Sequence, residues 1–119
     1  MGAKEAVGAY GERVAVRFLE DAGYAVLARN WRSRAGELDV VATRDGVVVF
    51  VEVKTRRSTS FGPPSLAVTP VKAARIRALA QEWLLASRLG DAVPVRFDVV
   101  SVLRPVSGPA VVEHVEGAF

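Results

Sequence analysis

The sequence predicts a single α/β domain of order α-β-β-β-α-β-β, a central mixed β-sheet flanked by helices. Three observations carry this expectation. Apolar residues recur at helical spacing from Ala3 to Gly23 and again from Pro70 to about Leu89. Two runs rich in β-branched residues, Leu38 to Thr43 and Val47 to Thr55, flank an Asp-Gly pair. The 119 residues, half of them hydrophobic, supply one core and leave no room for a second domain, so 1–119 is read as one unit.

Each element has its own warrant. In the first helix Val7, Tyr10, Val14, Phe18 and Ala22 form a stripe that Ala15 and Leu19 widen, and Gly23 is a natural stop. Tyr24 to Trp31 reads as a strand, followed by a basic turn, Arg32-Ser33-Arg34. Arg44-Asp45-Gly46 joins the next two strands as a hairpin. Arg56 to Ala67 is basic, then rich in Ser, Gly and Pro, and reads as a mobile loop. Thr69 caps the second helix with Pro70 at its first position. Ile76, Leu79, Ala80 and Trp83 form its apolar stripe, and Gly90 ends it. Val95 to Leu103 and Val111 to Val115 are the last strands, separated by the Pro105–Pro109 turn. The central strands are near-continuously apolar, as in sheets covered on both faces.

Composition removes several chemistries. Without cysteine there are no disulfides, no thiol catalysis and no cysteine-bound metal. With His114 as the single histidine, a two-histidine zinc site within one chain is excluded. Carboxylate and lysine chemistry remains. Thirteen of the 16 basic residues are arginine against 13 acidic ones, a bias toward phosphate-bearing partners. No apolar run is long enough to span a membrane, and Met1 to Tyr10 lacks a signal-peptide layout, so the expected location is the cytoplasm.

The hairpin places charges where apolar residues belong. A two-residue Asp45-Gly46 loop sets Arg44 opposite Val47, Val41 opposite Phe50, Asp39 opposite Glu52 and Glu37 opposite Lys54. Glu52 and Lys54 then share a face about 7 Å apart. Facing carboxylates destabilise a sheet, and burial raises the cost. A divalent cation offsets both, because Mg²⁺ takes one or two carboxylates and keeps other positions for water and phosphate. A lysine beside it orients an attacking water or neutralises a phosphate. The bland alternative is a polar patch at a strand end with an ordinary Glu37–Lys54 ion pair; Asp39 falling opposite Glu52 favours the metal.

Asp39 followed by Glu52-Val53-Lys54 on the next strand resembles the PD-(D/E)xK nuclease signature, with Leu38 in place of the proline. More closely, the chain resembles the YraN-like uncharacterised bacterial family, related to Holliday-junction resolvases. The resemblance rests on GAYGERVAVRFLEDAGY (8–24), RNWRSRAGELDVV (29–41), VVFVEVKTRR (48–57), FGPP (61–64), RFDVV (96–100) and the terminal Ala118-Phe119. It implies a restriction-endonuclease-like fold and a Mg²⁺ or Mn²⁺ site. Asp39 and Glu52 would be ligands, the Val53 carbonyl a third, and Lys54 the catalytic lysine. It also singles out Glu12 as a further acidic member, and Glu12 shares a helical stripe with Val16 and Leu19. Pairing of Glu12 with neighbouring arginines is the equal alternative.

Around this site Lys72 heads the apolar stripe of the second helix and is read as aimed at the same sheet surface, where it could hold a phosphate. Arg56 and Arg57 follow Lys54 as a basic lip, joined by Arg32 and Arg34, and clustered bases beside a metal suit a phosphodiester. Glu37 is read as the partner of Lys54, with a third-ligand role as the alternative. Asp98 is read as structural, pairing Arg96 or a backbone donor. His114 receives no functional role, and Trp31 and Trp83 are read as core or interface anchors. The expectation is a metal-dependent nuclease acting on branched or structured DNA, with a homodimer matching a twofold substrate. The alternative is a nucleic-acid-binding module on the same fold without turnover, and a pure protein-interaction domain ranks last.

Overall fold

The computed structural model describes residues 3–57, 62–63, 68–89 and 92–119. The elements follow the expected order: α1 (Ala3–Asp21), β1 (Ala25–Ser33), β2 (Gly36–Arg44), β3 (Val47–Arg56), α2 (Pro70–Ser87), β4 (Val95–Leu103) and β5 (Val111–Val115). The five strands form one sheet in the order β1-β2-β3-β4-β5. All neighbours are antiparallel except β3 and β4, which run parallel because α2 carries the chain back between them. No described helix is long and apolar enough to cross a membrane.

The two helices cover opposite faces. Ala15, Val16 and Leu19 of α1 pack on Val40, Ala42, Val49, Val51, Val100 and Val102. Ile76, Leu79, Ala80, Trp83 and Leu84 of α2 pack on Leu38, Val41, Val48, Phe50 and Phe97. Phe50 is the hub of the second layer, stacked on Phe97 with ring centroids 5.5 Å apart and edge-on to Trp83 at 5.8 Å. Trp31 packs against the same layer, so both tryptophans are core anchors as expected. The C-terminus closes this side: the Ala118 amide donates to the Phe97 carbonyl at 2.8 Å, and Phe119 lies against the Phe97 ring.

Local chemistry explains the boundaries. α1 ends in a Schellman turn: Gly23, at φ +92°, donates to the Glu20 carbonyl, and Tyr24 donates to that of Leu19. Asp45 and Gly46 both have positive φ, as a two-residue type I′ hairpin requires, and Arg44 pairs with Val47 and Val41 with Phe50 as predicted. Thr69 caps α2, its hydroxyl accepting from the Lys72 amide at 3.2 Å.

One helix face and two boundaries differ from expectation. The buried stripe of α1 is Gly11, Ala15, Val16 and Leu19, with Tyr10, Val14 and Phe18 on its half-buried flank and Ala22 exposed. The helix rotates this way because Gly11 approaches β3 so closely that a Cβ there would sink into the Thr55 hydroxyl and lie 2.9 Å from its Cβ. The turn after β1 is Arg34-Ala35, since Arg32 and Ser33 still pair with Glu37 and Gly36. α2 stops at Ser87, where Arg88 turns left-handed at φ +62°. Gly90 and most of the loop expected from Arg56 to Ala67 lie outside the described residues.

Asp98 is fully buried under the C-terminal half of α1. Its carboxylate accepts from Arg96 at 2.8 and 2.9 Å, from the Gly117 amide at 3.0 Å, and pairs with His114 Nε2 at 2.6 Å. Arg96 also donates to the Tyr24 hydroxyl at 2.6 Å. The structural role expected of Asp98 is therefore met, and His114 is part of the same network. Burial alone would raise the Asp98 pKa, but these hydrogen bonds and the Arg96 charge outweigh it and bring the group down to about 2 from 3.8. Because the folded value lies below the unfolded one, the stabilisation is complete above about pH 4 and is lost as pH falls toward 2. Asp98→Ala should cost about 2–4 kcal/mol, because it removes the buried acceptor shared by Arg96, His114 and the Gly117 amide. Asp98→Asn should lose the acid-limb dependence in urea denaturation between about pH 4 and 2; an unchanged acid limb would refute the linkage.

Candidate functional site

The site forms where the sheet comes apart. The β2–β3 ladder runs from Arg44–Val47 to Val40–Val51 and stops there. Beyond it β2 stays with β1, pairing Leu38 with Trp31 and Glu37 with Arg32, while β3 stays with β4. Side-chain alternation also breaks at this point. Val40 and Ala42 face α1, yet Leu38 and Val41 both face α2, so Asp39 sits at the irregularity. Opposite it on β1 is Asn30, itself at φ +52°. Asp39 therefore does not meet Glu52 as a regular cross-strand pair. Its Oδ2 accepts the Val53 amide hydrogen at 2.9 Å, replacing the lost rung with a side chain.

A cleft of about 580 Å³ opens at this split. Asp39, Glu52, Val53, Lys54, Thr55 and Arg57 line it from the strands, and Val7, Gly8 and Glu12 from α1. The four residues expected to be catalytic, Glu12, Asp39, Glu52 and Lys54, are thus brought together. Glu12 arrives through the Gly11–Thr55 approach, which lowers the N-terminal half of α1 onto the end of β3. Carboxylate oxygens of Glu12, Glu37 and Asp39 lie within 4.8 Å of one another. That spacing suits a hard divalent cation, whose oxygen ligands sit roughly 2.0–2.6 Å from the ion. The carboxylate group therefore differs from the predicted set of Asp39, Glu52 and the Val53 carbonyl by including Glu12 and Glu37.

Glu52 is neutralised in another way. Its carboxylate forms an ion pair with Lys72, reaching across from the first turn of α2, and its side chain is mostly buried. Lys72 does point to this sheet surface, as its place on the stripe predicted, but it holds a carboxylate there. Glu37 is not the partner of Lys54. Where β2 leaves β3 it follows β1, which places Glu37 opposite Arg32 with a guanidinium nitrogen 2.9 Å away. Lys54 is left exposed at the cleft. Of the predicted basic lip, Arg57 alone lines the cleft among the described residues. Arg56 donates to the Gly62 carbonyl, Arg32 is held by Glu37, and Arg34 is exposed in the turn.

The electrostatic cost falls on Asp39. Burial, then the charge of Glu52, and to a lesser degree that of Glu12, push it up from 3.8 to about 7, against the pull of the Val53 hydrogen bond. Burial beside like charge in a cleft is a mark of candidate functional sites. Of the two roles the sequence offered Glu37, its place in this group fits the alternative, third-ligand one and not the preferred pairing with Lys54. Its spacing of two from Asp39 was a signal, masked by the hairpin register that assigned it to Lys54.

An α/β chain with a split sheet, an acidic cleft and a lysine at its mouth is the class of protein these features define. The model for the "Uncharacterised protein family UPF0102" matches residues 11–102, from the close approach of α1 to the end of β4. A UPF0102 protein of Kineococcus radiotolerans is 57% identical over 97% of this chain and 94% of its own length. One of Beutenbergia cavernae is 56% identical over 98% of each chain, and one of Geotalea daltonii 43% identical over 95% of this chain and 88% of its own. The chain belongs to the UPF0102 family.

Replacing Asp39 with asparagine keeps an acceptor for the Val53 amide and removes the costly charge. At pH 8 Asp39→Asn should melt roughly 2–5 °C above wild type in metal-free buffer. Stabilisation by added Mn²⁺, visible in the wild type as a thermal shift, should vanish in this variant. A variant that melts lower and still responds to Mn²⁺ would contradict this account of the site.

Proposed function

We propose that this chain is a metal-dependent nuclease hydrolysing phosphodiester bonds of branched or otherwise structured DNA, akin to Holliday-junction resolvases and built on a restriction-endonuclease-like fold. The observation that carries the reading is the approach of Glu12, Glu37 and Asp39 to within 4.8 Å in a cleft that also holds Lys54 and Arg57. Three carboxylates converging on one point are what a cation requires, and cationic side chains beside them are what a phosphate requires.

Glu12, Glu37 and Asp39 would hold Mg²⁺ or Mn²⁺, with Glu52 and the Val53 carbonyl as further donors on β3. A bound divalent ion supplies Lewis-acid polarisation and an activated water. The protein's own groups do the rest. Lys54 sets an ammonium at the mouth of the cleft, where it neutralises charge gathering on the phosphate oxygens during attack. Arg57 grips the substrate backbone with a planar guanidinium suited to phosphate. Lys72 fixes the Glu52 carboxylate, so that the acidic wall does not collapse toward solvent. A twofold junction would be served by two copies of this chain, and DNA as substrate places the activity in the bacterial cytoplasm.

A second reading is a nucleic-acid-binding module without turnover. Two ion pairs favour it: Lys72 with Glu52 and Arg32 with Glu37 already neutralise two of the four acids.

Cleavage of a labelled four-way junction, linear duplex and single strand with Mn²⁺, Mg²⁺ or EDTA separates the readings. The nuclease should cut in metal alone, with preference for the junction. Asp39→Asn, Glu52→Gln and Lys54→Ala should each lower the rate by about 100-fold or more. Salt-sensitive binding with no cleavage of any substrate would give the second reading precedence.

A further inference from the structure

The parallel pairing of β3 and β4 creates a feature that neither strand carries alone. Arg56 lies beside Leu103 in the last rung, so Arg57 and Arg104 leave the sheet as neighbours at its C-terminal edge. The Arg104 amide continues the ladder by donating to the Arg56 carbonyl at 2.8 Å. Arg57, Arg104, Pro105 and Val106 line a second hollow of about 260 Å³. Arg57 also lines the carboxylate cleft, so the two concavities share a wall. The crevice outside the carboxyl ends of parallel strands is the usual ligand position in α/β sheets.

Both guanidinium groups are exposed. Arg17, Arg32, Arg44 and Arg96 all pair with carboxylates, whereas among the described residues neither Arg57 nor Arg104 does. Arg104 is instead held over the Tyr10 ring, 5.1 Å from its centroid, which orients the group without consuming its charge. Two like charges sharing one hollow repel unless an anion with several acceptor oxygens lies between them, and a phosphodiester is such an anion.

We propose that Arg57 and Arg104 form a second phosphate subsite. It takes a backbone phosphate adjacent to the one attacked at the carboxylate cleft, and rests on the nuclease reading above. Arg57 lines both hollows, so a phosphate held in the second lies next to one held at the cleft. The subsite therefore grips a neighbouring phosphate of the same strand and aligns that strand across the mouth of the cleft. Tyr10 is a positioning residue acting through Arg104.

Fluorescence anisotropy with a labelled single-stranded oligonucleotide and a labelled four-way junction, in EDTA and over a salt series, tests this on the full chain. Arg104→Ala should weaken binding of both probes by about 5–20-fold and lower the slope of log affinity against log salt by about one. Arg104→Lys should keep the wild-type slope while losing part of the affinity, and Tyr10→Leu should weaken binding with the slope intact. The Mn²⁺-induced thermal shift should match wild type in all three, since none of them touches the carboxylate group. If Arg104→Ala misfolds, the lysine and Tyr10 variants carry the test. Wild-type affinity and slope in a folded Arg104→Ala protein would overturn the subsite and leave the nuclease reading standing. A wild-type protein that binds neither probe at low salt would overturn both.

Discussion

The hydrogen bond from the Val53 amide to the Asp39 carboxylate is the interaction on which the site depends. A sheet has no cleft between paired strands, because successive backbone rungs hold them about 4.8 Å apart. Here the rungs between β2 and β3 end at Val40 and Val51, and a side chain takes over from the backbone. That substitution satisfies the Val53 amide while letting the strands part. From the opening follow the cleft, the entry of Glu12 from one face and Lys72 from the other, and the raised pKa of Asp39.

The molecule treats its two buried acidic centres in opposite ways. Asp98 receives two bonds from Arg96, one from Gly117 and the contact with His114, and is stabilised as an anion. It ties β4, β5 and the C-terminal segment to Tyr24 under α1. Asp39 receives one backbone bond and lies among the carboxylates of Glu12, Glu37 and Glu52, and is destabilised as an anion. A completed network contributes to the fold, and an incomplete one stores a demand for positive charge. α1 reaches both: its C-terminal half touches the structural network through the Phe18–His114 contact, and its N-terminal half delivers Glu12 to the acidic cleft.

Close backbone approach makes this possible. Gly11 lets α1 settle against Thr55, and any side chain there would lift the helix and withdraw Glu12. The lifted helix would also take Tyr10 away from Arg104, so one glycine governs the acid group and the orientation of a basic one. The flanking ion pairs, Arg32 with Glu37 and Lys72 with Glu52, hold the acids in place from outside the cleft.

Much of this was legible in the sequence, because the signals were local. The strand-forming runs, the Asp45-Gly46 turn, the Thr69-Pro70 cap and the hairpin register depend on neighbours in the chain, and they set Asp39, Glu52 and Lys54 close together. The buried role of Asp98 followed from its apolar surroundings, whereas Glu12 came from the family resemblance, its stripe with Val16 and Leu19 only lending support. Register arithmetic failed where pairing itself ended. A residue-counting rule carries a ladder on indefinitely, whereas a strand changes partners when another neighbour and a side-chain acceptor offer its amides better bonds. That is why Glu37 went to Arg32 and the acid group instead of to Lys54. The face of α1, decided by a glycine against a threonine 44 positions away, was equally beyond local patterning. So was the meeting of Arg57 with Arg104, which depends on two strands lying parallel across a helix. The sequence by itself determined which candidate acidic and basic groups the chain offers; only the tertiary structure decided which of them meet, because long-range contacts are settled by close packing and the satisfaction of backbone hydrogen bonds.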